Sequence, residues 1–238
     1  MIENLSEYLI GVAAGIRFRA NFSIEDQLGK ILDTILYAQD SYFNPKVFPR
    51  VANNVGQRIM YNSATDDKLS IDNSNFILEI QFGSKDGFNS SEYDEILKNF
   101  NDQIIQGVMS EFKIQQIIRI GLVNRYLFPL DDLAQSFVDK TIGETLEGVN
   151  DINLSFSKKM PVPEAFVKRD VNDYCNAIFN IIKKSDLDEI FMSIDYQLCY
   201  SPPLEKASHI KFAPFMDSAQ SFVTNQYLPW LNTNYVEV

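Results

Sequence analysis

The 238-residue chain is 45% hydrophobic and 22% charged, and its 32 acidic against 21 basic residues give a net charge of −11. That composition excludes a collagen-like repeat, a mostly disordered chain and a small disulfide-stapled scaffold. The acidic balance also argues against nucleic-acid binding over a broad face, because each contacted phosphate calls for a Lys or Arg.

The apolar run from Leu9 to Ile16 is short and interrupted by glycine, with no basic leader, so it does not read as a signal peptide. No window approaches the length of a membrane span. Residues 16–22 alternate apolar and polar and predict a half-buried strand. A helix is expected from Ile24, capped by Ser23, with the stripe Ile24, Leu28, Ile31, Leu32, Ile35 and Leu36 ending near Ala38. Val47-Phe48-Pro49 and residues 57–61 read as strands, with Asn53-Asn54 and residues 63–67 as turns. Residues 69–71 and 76–82 read as a hairpin around 72–75, and residues 83–89 as a loop.

A long helix follows from Ser91 to Phe112, striped by Tyr93, Ile96, Leu97, Phe100, Ile104, Val108 and Phe112. Residues 117–128 are rich in β-branched and aromatic side chains on both faces, the pattern of a central strand that Pro129 ends. Asp131 caps a shorter predicted helix carrying Leu133, Ala134, Phe137 and Val138. Residues 152–157 alternate as a strand. Residues 174–182 fit period two through Cys175, Ala177, Phe179 and Ile181, and a helix less well; the strand is preferred. A further strand covers 190–198, Pro202-Pro203 breaks the chain, and a last helix runs from Ser208 to about Asn225 with Phe212, Phe215, Ala219, Phe222 and Val223 inward. The expected class is α+β, mostly antiparallel sheet with four main helices. Two strand–helix–strands blocks, 1–114 and 115–238, read as a loose duplication packed into one compact unit.

Catalytic signatures are scarce. The single histidine, His209, cannot build a paired-histidine metal site, and no phosphate-binding glycine loop or G-x-S-x-G elbow occurs. No catalytic residue, metal ligand set or cofactor is therefore assigned. Glu79 and Asp195 are the acids embedded in predicted strands, and a metal-dependent enzyme would have to be built around them. The two cysteines, Cys175 and Cys199, read as free thiols, which fits a cytoplasmic protein.

The sharpest local feature is a set of arginines on the first strand of each block. Arg17 and Arg19 share one strand face, and Arg119 and Arg125 share another. They read either as salt-bridge partners of the excess acid or as an anion or partner pocket, since guanidinium holds carboxylate and phosphate bidentately. The aromatic tail after the last helix, with Tyr227, Trp230 and Tyr235, either docks on the body or binds a protein partner.

The segment Ile118-Arg119-Ile120-Gly121-Leu122, directly after a long helix, resembles the hallmark of a sporadically distributed, uncharacterised bacterial protein family of similar length. The early Ile-Arg-Phe strand, Phe48-Pro49 and the Ser193-Ile194-Asp195 strand agree with it in short patches. The family segment usually continues Arg-aromatic-hydrophobic-Asn, whereas here it continues Val123-Asn124-Arg125-Tyr126. The resemblance implies no activity; the family's patchy distribution associates it with mobile elements or antiviral defence. The sequence reading is a non-enzymatic cytoplasmic binding protein acting through a protein partner, with a second copy of the chain as a further candidate. The alternatives are a nucleotide or nucleic-acid sensor using the arginine face, and the metal-dependent enzyme.

Overall fold

A computed structural model describes residues 2–82, 90–129, 151–163, 166, 172–183 and 189–233. Nine antiparallel strands form one sheet in the order β2-β3-β4-β5-β1-β6-β9-β8-β7. They are β1 Leu9–Phe18, β2 Arg50–Asn54, β3 Gln57–Tyr61, β4 Lys68–Asp72, β5 Asn75–Gln81, β6 Gln115–Pro129, β7 Ile152–Pro161, β8 Tyr174–Lys183 and β9 Glu189–Lys206. Three helices accompany them among the described residues. α1 is Ser23–Tyr37. α2 begins as Ser90–Asn99, widens into the π-helical run Phe100–Val108 and closes as Met109–Glu111. α3 begins as Phe212–Phe222, passes through the π-helical run Val223–Tyr227 and ends as Leu228–Leu231. The chain is thus α+β. The helix expected from Asp131 and the loop expected over 83–89 lie outside the described residues.

One face of the sheet carries the core. Val12, Ala14, Ile16 and Phe18 of β1 point to it, as do Ile120, Leu122, Tyr126 and Phe128 of β6, all buried. Alternation then places Arg17, Arg119 and their same-face neighbours on the opposite side. α1 buries Ile24, Leu28, Ile31, Leu32 and Ile35 against this core, each worth about 1.5–3 kcal/mol of transfer free energy. The α2 and α3 helices meet through Phe100 and Phe212, whose ring centroids are 5.9 Å apart. β8 takes the strand pattern: Cys175, Ala177, Phe179 and Ile181 are buried in alternation.

Several local expectations are corrected. β1 starts at Leu9 and ends at Phe18, earlier than the alternation over 16–22 suggested. Its apolar run is continuous because Val12, Ala14, Ile16 and Phe18 face the core while the small residues Gly11, Ala13 and Gly15 take the other side. Val47-Phe48-Pro49 is not a strand: Phe43 and Phe48 plug the core from a loop, their centroids 5.4 Å apart, and β2 begins only at Arg50. Asn53-Asn54 belongs to β2, and Gly56, at φ +70°, makes the turn. Ser23 does not cap α1 but is its first residue; Phe22 holds the cap position without a side-chain hydrogen bond, and Asn21 Oδ1 accepts from the Ser23 amide at 3.1 Å in the turn before it. Pro202-Pro203 does not end β9, which runs to Lys206. The prolines occupy an irregularity between the Arg119–Cys199 and Ile117–Leu204 pairings, where β9 has extra residues and no ladder amide is demanded of them. The last helix does not stop at Asn225 but continues to Leu231.

Candidate functional site

The strand register brings two of the four sequence-predicted arginines, Arg17 and Arg119, together at the centre of the sheet. β1 and β6 are neighbours, with Arg17 directly opposite Arg119 and Gly15 directly opposite Gly121. Two cations therefore stand side by side above a floor that has no side chains. Neither Arg17 nor Arg119 has an ion pair among the described residues. Like charges in direct cross-strand opposition are unfavourable, so the pair is an arrangement that an anion would relieve. Arg19 lies one residue beyond the end of β1 and is exposed. Arg125 sits elsewhere on the face: its Nη1 is 3.3 Å from Glu79 Oε2, both side chains half-buried, and it forms the salt bridge that the excess of acid suggested.

A depression of about 120 Å³ lies over the glycines, lined among others by Arg17, Arg119, Asn75, Asp195 and Gln197. Asp195 and Gln197 come from β9, where Gln197 pairs with Gly121 and Asp195 with Val123. Gln197 Nε2 donates to Asp195 Oδ2. The other carboxylate oxygen, Oδ1, leans over Gly121, only 3.4 Å from where a β-carbon at that position would sit. Burial raises the Asp195 carboxyl above its ordinary range, opposed by the Gln197 hydrogen bond and by the positive charge of Arg119. Asp195 was foreseen from sequence only as a strand carboxylate; Gln197 and Asn75 were not foreseen. An alternating Asp-Tyr-Gln on a strand does reveal that Asp195 and Gln197 share a face, but nothing local says which strand lies beside it.

Beyond Arg119, the row continues through Cys199 to Tyr174 on β8. Burial pushes the Cys199 thiol up, and the Tyr174 hydroxyl is raised first by its hydrogen bond with Cys199. Lys159 Nζ stands 3.9 Å from the Tyr174 ring centroid. Both cysteines are free. Cys175 faces the core while Cys199 faces the arginine side, so the pleat points their sulfurs apart. Among the described residues no three His, Cys, Asp or Glu side chains group as a metal site, and no helix is long and apolar enough to cross a membrane.

The described part of the aromatic tail, with Tyr227 and Trp230, belongs to α3. Tyr227 is 3% exposed and its hydroxyl donates to Met192 Sδ at 3.4 Å. Trp230 lies against Phe156 and Phe179, with centroids 5.8 and 6.0 Å away. Tyr235 lies outside the described residues. Comparison with known proteins finds no family and no curated sequence that matches this chain.

Proposed function

We propose that the protein is a binding protein, not a catalyst, that takes a small anion on the arginine face of its sheet between Arg17 and Arg119. The observation that carries this reading is the direct register of the two arginines over the Gly15–Gly121 pair, with no salt bridge to either among the described residues and Asp195 acting on Arg119 only at longer range. A bidentate carboxylate or phosphate accepts from both forks at once and removes their repulsion. The test is isothermal titration with phosphate, sulfate and acetate at low ionic strength. Salt-sensitive binding that Arg119→Ala abolishes is the expected result; equal binding by that variant refutes it.

A second reading, docking of a protein partner, is favoured by Phe156, which is 41% exposed on the outer strand β7 beside Trp230. A pull-down that loses a stoichiometric protein on Phe156→Ser tests it. The two blocks 1–114 and 115–238 are read here as related halves, supported by a strand order in which each first strand pairs with the last strand of its own block and with the other first strand. A cytoplasmic location is supported by the two free thiols.

A further inference from the structure

We infer that the anion taken at this site carries a positively charged or N–H-donating group of its own, so that the ligand is a small zwitterion such as an amino acid or an aminoalkyl phosphate. The inference rests on the anion-binding reading above and adds the second half of the ligand.

The depression has two chemically opposite walls. Arg17 and Arg119 close one end with positive charge, and Asp195 reaches in from β9. The Asp195 carboxylate is held in place through one oxygen only, Oδ2, by the Gln197 amide. Gln197 is itself 3% exposed, so that hydrogen bond is sheltered from water. Oδ1 is turned over the bare floor at Gly121 and accepts no hydrogen bond from a described side chain. A carboxylate oxygen fixed in a partly desolvated depression is an acceptor waiting for a donor, and a charged N–H satisfies it best.

The same carboxylate disfavours a plain anion, since a phosphate between the arginines would face a like charge across the floor. None of the depression's lining residues is aromatic, which leaves no surface for a nucleobase to stack on. What remains complementary to both walls is a compact molecule with an anionic group at one end and an ammonium at the other. Gly121 is the residue that keeps the two walls within reach of one ligand, because a side chain there would fill the gap beneath Oδ1.

The full-length protein is titrated with two matched pairs of probes: inorganic phosphate against O-phosphoethanolamine, and acetate against glycine. The amine-bearing member of each pair is expected to bind about tenfold or more tightly than its partner, the value of one charge-assisted hydrogen bond. Asp195→Asn should erase that preference while leaving the amine-free probes bound as well as before or better. If Asp195→Asn does not fold, Gly121→Ala, whose methyl carbon would stand 3.4 Å from Oδ1, must weaken the amine-bearing probes selectively. Equal binding of both members by the unaltered protein, or a preference that survives in Asp195→Asn, overturns the zwitterion inference and leaves the anion site standing. Absence of binding by all four probes overturns both.

Discussion

Replacing Arg119 by Met should make the protein more stable in dilute buffer and less stable than the unaltered protein in concentrated phosphate. Met keeps an unbranched stem that covers the same strand surface and removes only the charge. Arg17 and Arg119 are directly opposite on adjacent antiparallel strands, and like charges so placed cost about 0.2–1 kcal/mol. Unit charges taken about 6 Å apart in solvent-like surroundings repel by about 0.7 kcal/mol, which falls in the same range. For a chain of this length, each kcal/mol moves the melting temperature by about 2–4 °C. The variant should therefore melt about 1–3 °C higher in low salt. Phosphate bound at a hundred times its dissociation constant stabilises the unaltered protein by about 2.7 kcal/mol, or about 5–10 °C. The variant lacks half the fork and should gain much less. Differential scanning fluorimetry across a phosphate series at constant ionic strength reads both effects, and the two curves must cross. Parallel curves, or a variant that is less stable at every concentration, refute the reasoning that the arginine pair is held in tension for an anion.

Three further outcomes are expected. Phe215→Ala, at a position wholly removed from solvent where α3 meets Tyr196, should cost about 3–5 kcal/mol, read as a lower urea midpoint with unchanged slope. Asn232→Ala should cost about 1–3 kcal/mol and release the N-terminus to hydrogen exchange, because Asn232 accepts from the Ile2 amide at 2.8 Å and donates to the Ile2 carbonyl at 2.9 Å. Asp195→Asn should raise the melting temperature at neutral pH, with the gain fading in acid. Burial raises the folded-state carboxyl above its unfolded value of about 3.9, so ionised Asp195 weighs against folding, and that burden disappears once pH falls below the unfolded value. A gain that persists unchanged in acid would show that ionisation of Asp195 carries no weight, and a loss at neutral pH that fades in acid would show that its surroundings favour the carboxylate.

The periodic elements were legible because one face of each is decided by burial alone. The stripe of α1 and the alternation of β8 follow from 3.6- and 2-residue periods that no neighbour overrides. Boundaries were less legible where a local breaker is absorbed by geometry. The last helix was expected to stop near Asn225, but that residue lies inside a π-helical run, and Pro229 stands in the first turn of the segment after it, where a missing amide is tolerated. Pro202 and Pro203 were absorbed by the irregularity in β9 in the same way. Of the site, the shared face of Arg119 and Arg125 could be read from sequence, since alternation along β6 fixes it, whereas Arg19 falls beyond the end of β1. The meeting of Arg17 with Arg119 depended on β1 and β6 being neighbours. The arrival of Asp195 and Gln197 depended on β9 flanking β6, and the Arg125–Glu79 bridge joins strands on either side of β1. Such pairings are set by strand order, which no local pattern encodes.

The β1–β6 pairing is also a seam. It joins Leu9–Phe18 to Gln115–Pro129 down the middle of the sheet, and every strand before β6 lies on one side of it. A fragment cut between the two helical and strand sets would expose a full-length strand edge with its amides and carbonyls unsatisfied. Each piece carries the complement of the other's edge. Residues 1–114 and 115–238 made as separate polypeptides should each be sticky alone and should zip together when co-expressed, which co-purification through a tag on one piece would reveal. Joined to two other proteins, the halves would report on their meeting, and the arginine pair, assembled only when the seam closes, would make anion binding the signal that they had met.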